Sequence, residues 1–210
     1  ARLVSRYLKA MGVLSGGQLI EVTRADLVGK YVGHTAPLTQ QVIRSALGGV
    51  LFIDEAYALN GKSENDFGQE AIDTILKAME DHRDDLVVIV AGYTDLMDRF
   101  IHSNPGLESR FNRFLLFEDY TSDEMLDIFK MQCKKGCYQL SDGVEELVRD
   151  YITEENGDPE TFGNARGVRN IFEHILVAQN NRLAAMETVT KEDLMTLTQD
   201  DVLHARGKLD

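Results

Sequence analysis

Two adjacent acids, Asp54 and Glu55, follow directly on the apolar run Val50-Leu51-Phe52-Ile53. A buried strand ending in paired carboxylates delivers them to the carboxyl edge of a sheet, where open α/β folds bind their ligands. Phosphoryl transfer uses such a pair. One carboxylate holds Mg²⁺, usually through its water, and a second orients or deprotonates the attacking water. Asp54 suits the first role and Glu55 the second. A bland reading also stands, since a polar pair at a strand end serves equally well to cap the next helix.

Elements that would position these acids are legible on either side. Gln18-Leu19-Ile20-Glu21-Val22 alternates and follows the turn pair Gly16-Gly17. Gly49–Ile53 and Leu86–Val90 are unbroken β-branched runs, as strands covered on both faces of a parallel sheet should be. Phe114-Leu115-Leu116-Phe117 reads as a weaker fourth strand. Between them, Ile72, Ile75, Leu76 and Met79 recur with helical spacing, and Leu38–Leu47 does likewise with Leu38, Val42 and Ile43 inward. Strand alternating with helix at this spacing defines an α/β domain. After Asp119-Tyr120 the pattern becomes helical. Thr121 and Glu124 have capping-box spacing, and breaks fall near Gly136, Asn156-Gly157-Asp158-Pro159 and Glu187-Thr188. The expected division is an α/β domain over residues 1–119 and a small all-α domain over 120–210, hinged near Glu118 to Tyr120.

Composition narrows the function classes. The 210 residues carry 22 Lys+Arg against 35 Asp+Glu, a formal charge of −13. That balance argues against a broad electrostatic grip on nucleic acid, while leaving room for a local basic phosphate site. No apolar run approaches the roughly 18–20 residues that cross a bilayer, so no membrane partner is expected. No signal peptide is visible at the start, where Ala1-Arg2-Leu3-Val4 already reads as helix. Cys133 and Cys137 are too few for a disulfide framework, fit a cytoplasmic chain, and share one helical face at four-residue spacing. No histidine lies near enough to them to suggest zinc, and His82, His102, His174 and His204 show no ligand-like spacing.

Taken together, the stretch Asp26–Asp54, Asp66-Phe67-Gly68-Gln69-Glu70-Ala71-Ile72, Ala91-Gly92-Tyr93 and Ser109-Arg110-Phe111 resemble the AAA+ ATPases. Within them they resemble the branch of stage V sporulation protein K and the red-type rubisco activases, over essentially the whole chain. The resemblance implies a three-layer α/β/α parallel-sheet domain followed by a small all-α lid. It implies ATP and Mg²⁺ as cofactors, a homo-hexameric ring and a protein substrate, with no nucleic acid. Leu27-Val28-Gly29-Lys30-Tyr31-Val32-Gly33 resembles a pore loop, in which Tyr31 and Val32 would grip an extended polypeptide and Gly33 would let the loop bend. Alternatively, Tyr31 packs on its own domain. Ser109-Arg110-Phe111-Asn112-Arg113 resembles an arginine-finger segment, Arg110 being the first choice and Arg113 the second. Guanidinium stays charged and meets phosphate oxygens in a fork; an intramolecular salt bridge is the competing reading. Arg166, in Asn164-Ala165-Arg166-Gly167-Val168-Arg169, matches the second sensor, which reaches its own subunit's phosphates. The first sensor should end the strand Leu86–Val90, with Tyr93 and Thr94 as candidates and Asp95 also available.

A phosphate loop Gly-x-x-x-x-Gly-Lys-Ser/Thr has no match. Gly16-Gly17 and Gly48-Gly49 lack the Lys-Ser/Thr, and Gly61-Lys62-Ser63 lacks the upstream glycine. By the resemblance, the chain would begin just after that loop. The preceding strand would lie between Leu86–Val90 and Phe114–Phe117, and each buried backbone group left unpaired would cost about 1–3 kcal/mol. The expectation is therefore an additional amino-terminal segment in the intact protein, and weak ATP binding without it. The leading function is an ATP-driven protein-remodelling motor. A non-catalytic assembly or scaffold module on the same fold, and less so a nucleic-acid motor, are the alternatives.

Overall fold

The computed structural model describes residues 1–61, 66–157 and 162–207. Lys62-Ser63 and the break at Asp158-Pro159 lie outside the described residues. The chain divides into two compact units, Ala1–Leu116 and Phe117–Asp210.

The first unit is built on three parallel strands, β1 (Leu19–Val22), β2 (Gly49–Ile53) and β3 (Leu86–Val90), in the order β1-β2-β3. Register pairs Leu19 with Val50 and Gly49 with Leu86, so all three strands reach their carboxyl ends together. As the middle strand, β2 is buried on both faces. Leu51 and Ile53 join the main core with Ile43, Ile72 and Ile75, whereas Val50, also fully buried, points to the other face by strand alternation. Helix α1 (Arg2–Ala10) packs against β2 and places buried Ser5 so that its hydroxyl donates to Gly17 O at 3.0 Å. Helix α2 (Arg24–Leu27), capped by the Thr23–Asp26 box, follows β1.

Helix α3 (Thr35–Ala46) turns Thr35, Thr39, Ile43 and Ala46 inward. Ile43 is inward as expected and Val42 packs partly buried against the core, while Leu38 only flanks that face. The remaining inward places go to the two threonines, whose hydroxyls have backbone work to do there. Thr39 Oγ1 donates to Leu27 O at 2.9 Å, and Thr35 Oγ1 accepts from Gly29 N at 3.0 Å. A 3₁₀ turn (Ala56–Leu59), α4 (Gly68–Asp81), α5 (Thr94–His102) and α6 (Pro105–Arg110) complete the unit.

Phe114–Phe117 is not a strand. The four residues are 69–88% exposed and pair with nothing among the described residues. A strand forms only where it lies hydrogen-bonded beside another; β3 has an open edge among the described residues, but Phe114–Phe117 does not lie along it.

The second unit packs α7 (Ser122–Lys135), α8 (Val144–Glu155) and α9 (Ala165–Ala184) around Met125, Phe129, Val148, Ile152, Ile171 and Ile175. Thr121 and Glu124 form the expected capping box on α7. To the helices it adds a short parallel pair, β4 (Gln139–Leu140) with β5 (Thr196–Leu197), flanked by α10 (Lys191–Met195) and α11 (Gln199–Ala205). Cys133 and Cys137 do not share a helical face. α7 ends at Lys135, and Cys137 adopts φ 61° beyond it, leaving Cys133 buried and Cys137 exposed.

Candidate functional site

β2 carries Asp54 and Glu55 out at the carboxyl edge. Asp54 N continues the ladder by donating to Val22 O at 2.9 Å, and Ala56 N donates to Ala91 O at 3.1 Å, so the acid pair is anchored from both neighbouring strands. Both side chains are exposed. Glu55 N donates to Asp54 Oδ1 at 3.1 Å, and Glu55 itself lies in the left-handed region, φ 48° and ψ 44°. A non-glycine residue there carries strain of roughly 1–2 kcal/mol. The strain turns the chain at once into the 3₁₀ turn and leaves the acid at the mouth of a cleft instead of on the sheet face. Thr23, Arg24, Ala25, Val28, Asp54, Glu55 and Ala58 line that cleft, of about 310 Å³.

Asp54 and Glu55 are thus brought together beside α2. Tyr93, at the amino terminus of α5, is 67% exposed, and its ring centroid lies 6.4 Å from that of Tyr57. Thr94 opens α5 behind it. Gly92 permits this stacking, since a Cβ there would come within 2.7 Å of the Tyr57 ring. Partial burial, then the neighbouring Glu55 and Asp54 carboxylates, push the Tyr57 phenol above its ordinary value. Tyr57, Thr23 and Arg24 are members of the site that sequence reasoning did not single out. Tyr57 stands only two residues past Glu55, but its placement depends on the 3₁₀ turn. Arg24 lies 30 residues before Asp54, and no local pattern announces the pairing.

Tyr31, Val32 and Gly33 sit on the loop between α2 and α3, not directly after a strand. Tyr31 is 69% and Val32 83% exposed, and the Tyr31 ring meets that of His34 edge-on, at 5.5 Å between centroids. Gly33 takes φ 77°, a turn that a side chain would strain. Arg110 ends α6 and donates to Glu80 of α4 at 3.3 Å. Its Nε is buried with no partner among the described residues. Arg113 is exposed on the extended segment beyond. Neither arginine lines the acid cleft. In the second unit Arg166 is exposed on the first turn of α9 and makes no ion pair among the described residues. The residue preceding that helix, Asn164, accepts from Tyr120 N at 2.9 Å and donates to Asp119 at 2.7 Å.

Among the described residues no three His, Cys, Asp or Glu side chains gather into a metal cage. The exposed hard oxygens of Asp54 nevertheless fit Mg²⁺, which keeps several waters and takes one or two carboxylates together with substrate phosphates.

The profile of the ATPase family associated with various cellular activities (AAA) matches residues 1–119, and that of the AAA lid domain matches residues 121–209. This chain belongs to the AAA ATPase family. The chloroplastic ribulose bisphosphate carboxylase/oxygenase activase of Cyanidioschyzon merolae is 47% identical over 209 residues, covering 98% of this chain and 71% of that protein. Stage V sporulation protein K of Bacillus subtilis is 45% identical over 204 residues, covering 96% of this chain and 63% of that protein. Among solved structures, the FIGL-1 AAA domain in complex with ADP aligns with TM-score 0.61 at 18% identity, over 89% of this chain and 61% of that one. A Thermotoga maritima RuvB mutant aligns with TM-score 0.64 at 16% identity, over 99% and 70% respectively. At such identities these last two establish the fold alone. No helix among the described residues is long and apolar enough to cross a membrane.

Proposed function

We propose that this chain hydrolyses ATP with Mg²⁺ as part of a homo-hexameric ring that remodels a protein substrate. The observation that carries this reading is the acid pair, exposed at the carboxyl edge of a buried parallel sheet and aimed into a cleft by a left-handed Glu55. Mg²⁺ supplies charge neutralisation at the phosphates, and Asp54 is the residue to hold it through water. Glu55 accepts the proton of the attacking water, or orients it. Its carboxylate sits in the open cleft with the strained backbone already fixing its direction, so little reorganisation is needed. Tyr93 and Thr94, ending the path from β3, are the residues to place the same water.

Arg166 closes over the phosphates of its own subunit, and Arg110 or Arg113 meets those of a neighbour. Arg110's present bond to Glu80 is long, and Glu80 is 61% exposed. A surface pair of that kind is worth little, and a multiply charged phosphate competes easily for the guanidinium. Tyr31 and Val32, free of their own domain's core, present apolar surface to an extended polypeptide whatever its sequence. A relative named as an activase of ribulose bisphosphate carboxylase/oxygenase supports a protein as the substrate.

Replacing Glu55 by Gln in the intact protein should abolish ATP turnover while sparing ATP binding. Hydrolysis at the wild-type rate would reject Glu55 as the base. Loss of binding together with turnover would assign it to holding nucleotide instead.

A further inference from the structure

Arg24 opens α2, and both terminal nitrogens of its guanidinium are engaged. Nη1 donates to Ala58 O at 2.7 Å, and Nη2 donates to Asp66 Oδ1 at 2.7 Å. Asp66 Oδ1 also accepts from Gly68 N at 2.8 Å, at the start of α4. Burial would raise the Asp66 carboxyl, but the Arg24 guanidinium and the Gly68 amide together hold it below the usual range. Three elements therefore meet on one side chain with no slack. A Cβ on Gly68 would come within 1.9 Å of Leu59 O and 2.9 Å of Arg24 Nη1.

The atom Arg24 grips is informative. Ala58 donates its own N–H to Glu55 O at 2.8 Å. The amide of Ala58 thus holds Glu55 from one side while its carbonyl is held by Arg24 on the other. Glu55 caps that 3₁₀ turn and takes its left-handed conformation there. At the other end of α2, Val28 N donates to Arg24 O at 3.0 Å, and Leu27 O is fixed by buried Thr39. The base of the Tyr31 loop begins there.

We propose that Arg24 is a positioning residue that holds the turn carrying Glu55 against α2, the base of the Tyr31 loop, through Ala58 O and Asp66. This rests on Glu55 as the group that orients the attacking water. With both terminal nitrogens engaged, Arg24 acts on Glu55 through the backbone of the turn. A bidentate fork is required, because a lysine ammonium is a single point that cannot span Ala58 O and Asp66 in this planar geometry.

The test measures kcat and KM for ATP, the affinity for a fluorescent ADP analogue, and the melting temperature in the intact protein. Wild type is compared with Arg24→Gln, Arg24→Lys and Glu55→Gln. A misplacement of the reacting geometry by a fraction of an ångström to 1 Å lowers kcat by about 10- to 100-fold. That loss is expected for Arg24→Gln with KM and ADP affinity within about twofold, and a smaller loss for Arg24→Lys. A merely structural arginine would lower the melting temperature and leave kcat untouched below the transition. If Arg24→Gln does not fold, Arg24→Lys decides alone. Wild-type kcat in the folded variant, or a KM that rises while kcat holds, overturns the proposal. Glu55→Gln separates the two readings: if it still turns over ATP, the assignment of Glu55 has failed. If it is dead while the Arg24 variants are normal, only the positioning role has failed.

Discussion

The left-handed backbone at Glu55 makes a quantitative prediction. Comparing Glu55→Gly with Glu55→Ala isolates the backbone, because both remove the carboxylate and only glycine relieves φ 48°. The left-handed conformation costs an L-residue roughly 1–2 kcal/mol. Glycine escapes that cost but brings extra unfolded-state entropy of about 0.5–1 kcal/mol. The net expectation is that Glu55→Gly is more stable than Glu55→Ala by on the order of 0.5–1 kcal/mol, or about 1–4 °C in melting temperature. Urea unfolding of the 210-residue chain, followed by circular dichroism with m held in common, measures the difference from the two midpoints. Both variants should lose hydrolysis in the intact protein, so the pair differs in stability and not in activity. An alanine variant equal to or more stable than the glycine variant would falsify the claim that the strain is stored at this residue.

Three further outcomes are expected. Asp201 is 1% exposed and pairs with Arg182 at 2.8 Å while capping α11, so Asp201→Ala should destabilise the second unit by about 3–5 kcal/mol by leaving a charge unpaired. A loss under about 1 kcal/mol in urea unfolding would contradict the pairing. The folded Asp66 carboxyl titrates below its unfolded value, so its contribution is complete above the ordinary aspartate range near ~3.9 and disappears as pH falls through the lower folded value. Accordingly, the gap in urea midpoint between wild type and Asp66→Asn should narrow as pH falls from about 5 through the acid range, and a gap that stays constant would refute it. Burial pushes the Cys133 thiol up to about 12, whereas Cys137 is exposed. A thiol-directed disulfide reagent should therefore modify Cys137 in the native chain and Cys133 only after unfolding, and equal rates for both would contradict the burial of Cys133.

Legibility in the sequence followed the range of the interaction. β2 and β3 are recognisable because a strand buried on both faces must be apolar at every position, and α4 because one buried face repeats every three to four residues. The α7 cap was readable from Thr121 and Glu124 alone, since a capping box closes within one turn. The inward face of α3 is legible at Ile43, whereas Leu38 stays half-buried and fully buried places go to Thr35 and Thr39. Their hydroxyls satisfy Leu27 O and Gly29 N, and no hydropathy pattern records an obligation to a backbone that lies elsewhere.

By itself the sequence determined the parallel α/β core, the helical unit after it, and the placement of Asp54 and Glu55 at a strand end. These depend on short-range pattern and on the rule that ligands gather at the carboxyl edge. Only the tertiary structure decided that Phe114–Phe117 stays unpaired, that Glu55 is left-handed, and that Arg24 grips Ala58 and Asp66. The pairing of Phe114–Phe117 and the grip of Arg24 both turn on where a distant segment lies, a property no single stretch of sequence carries.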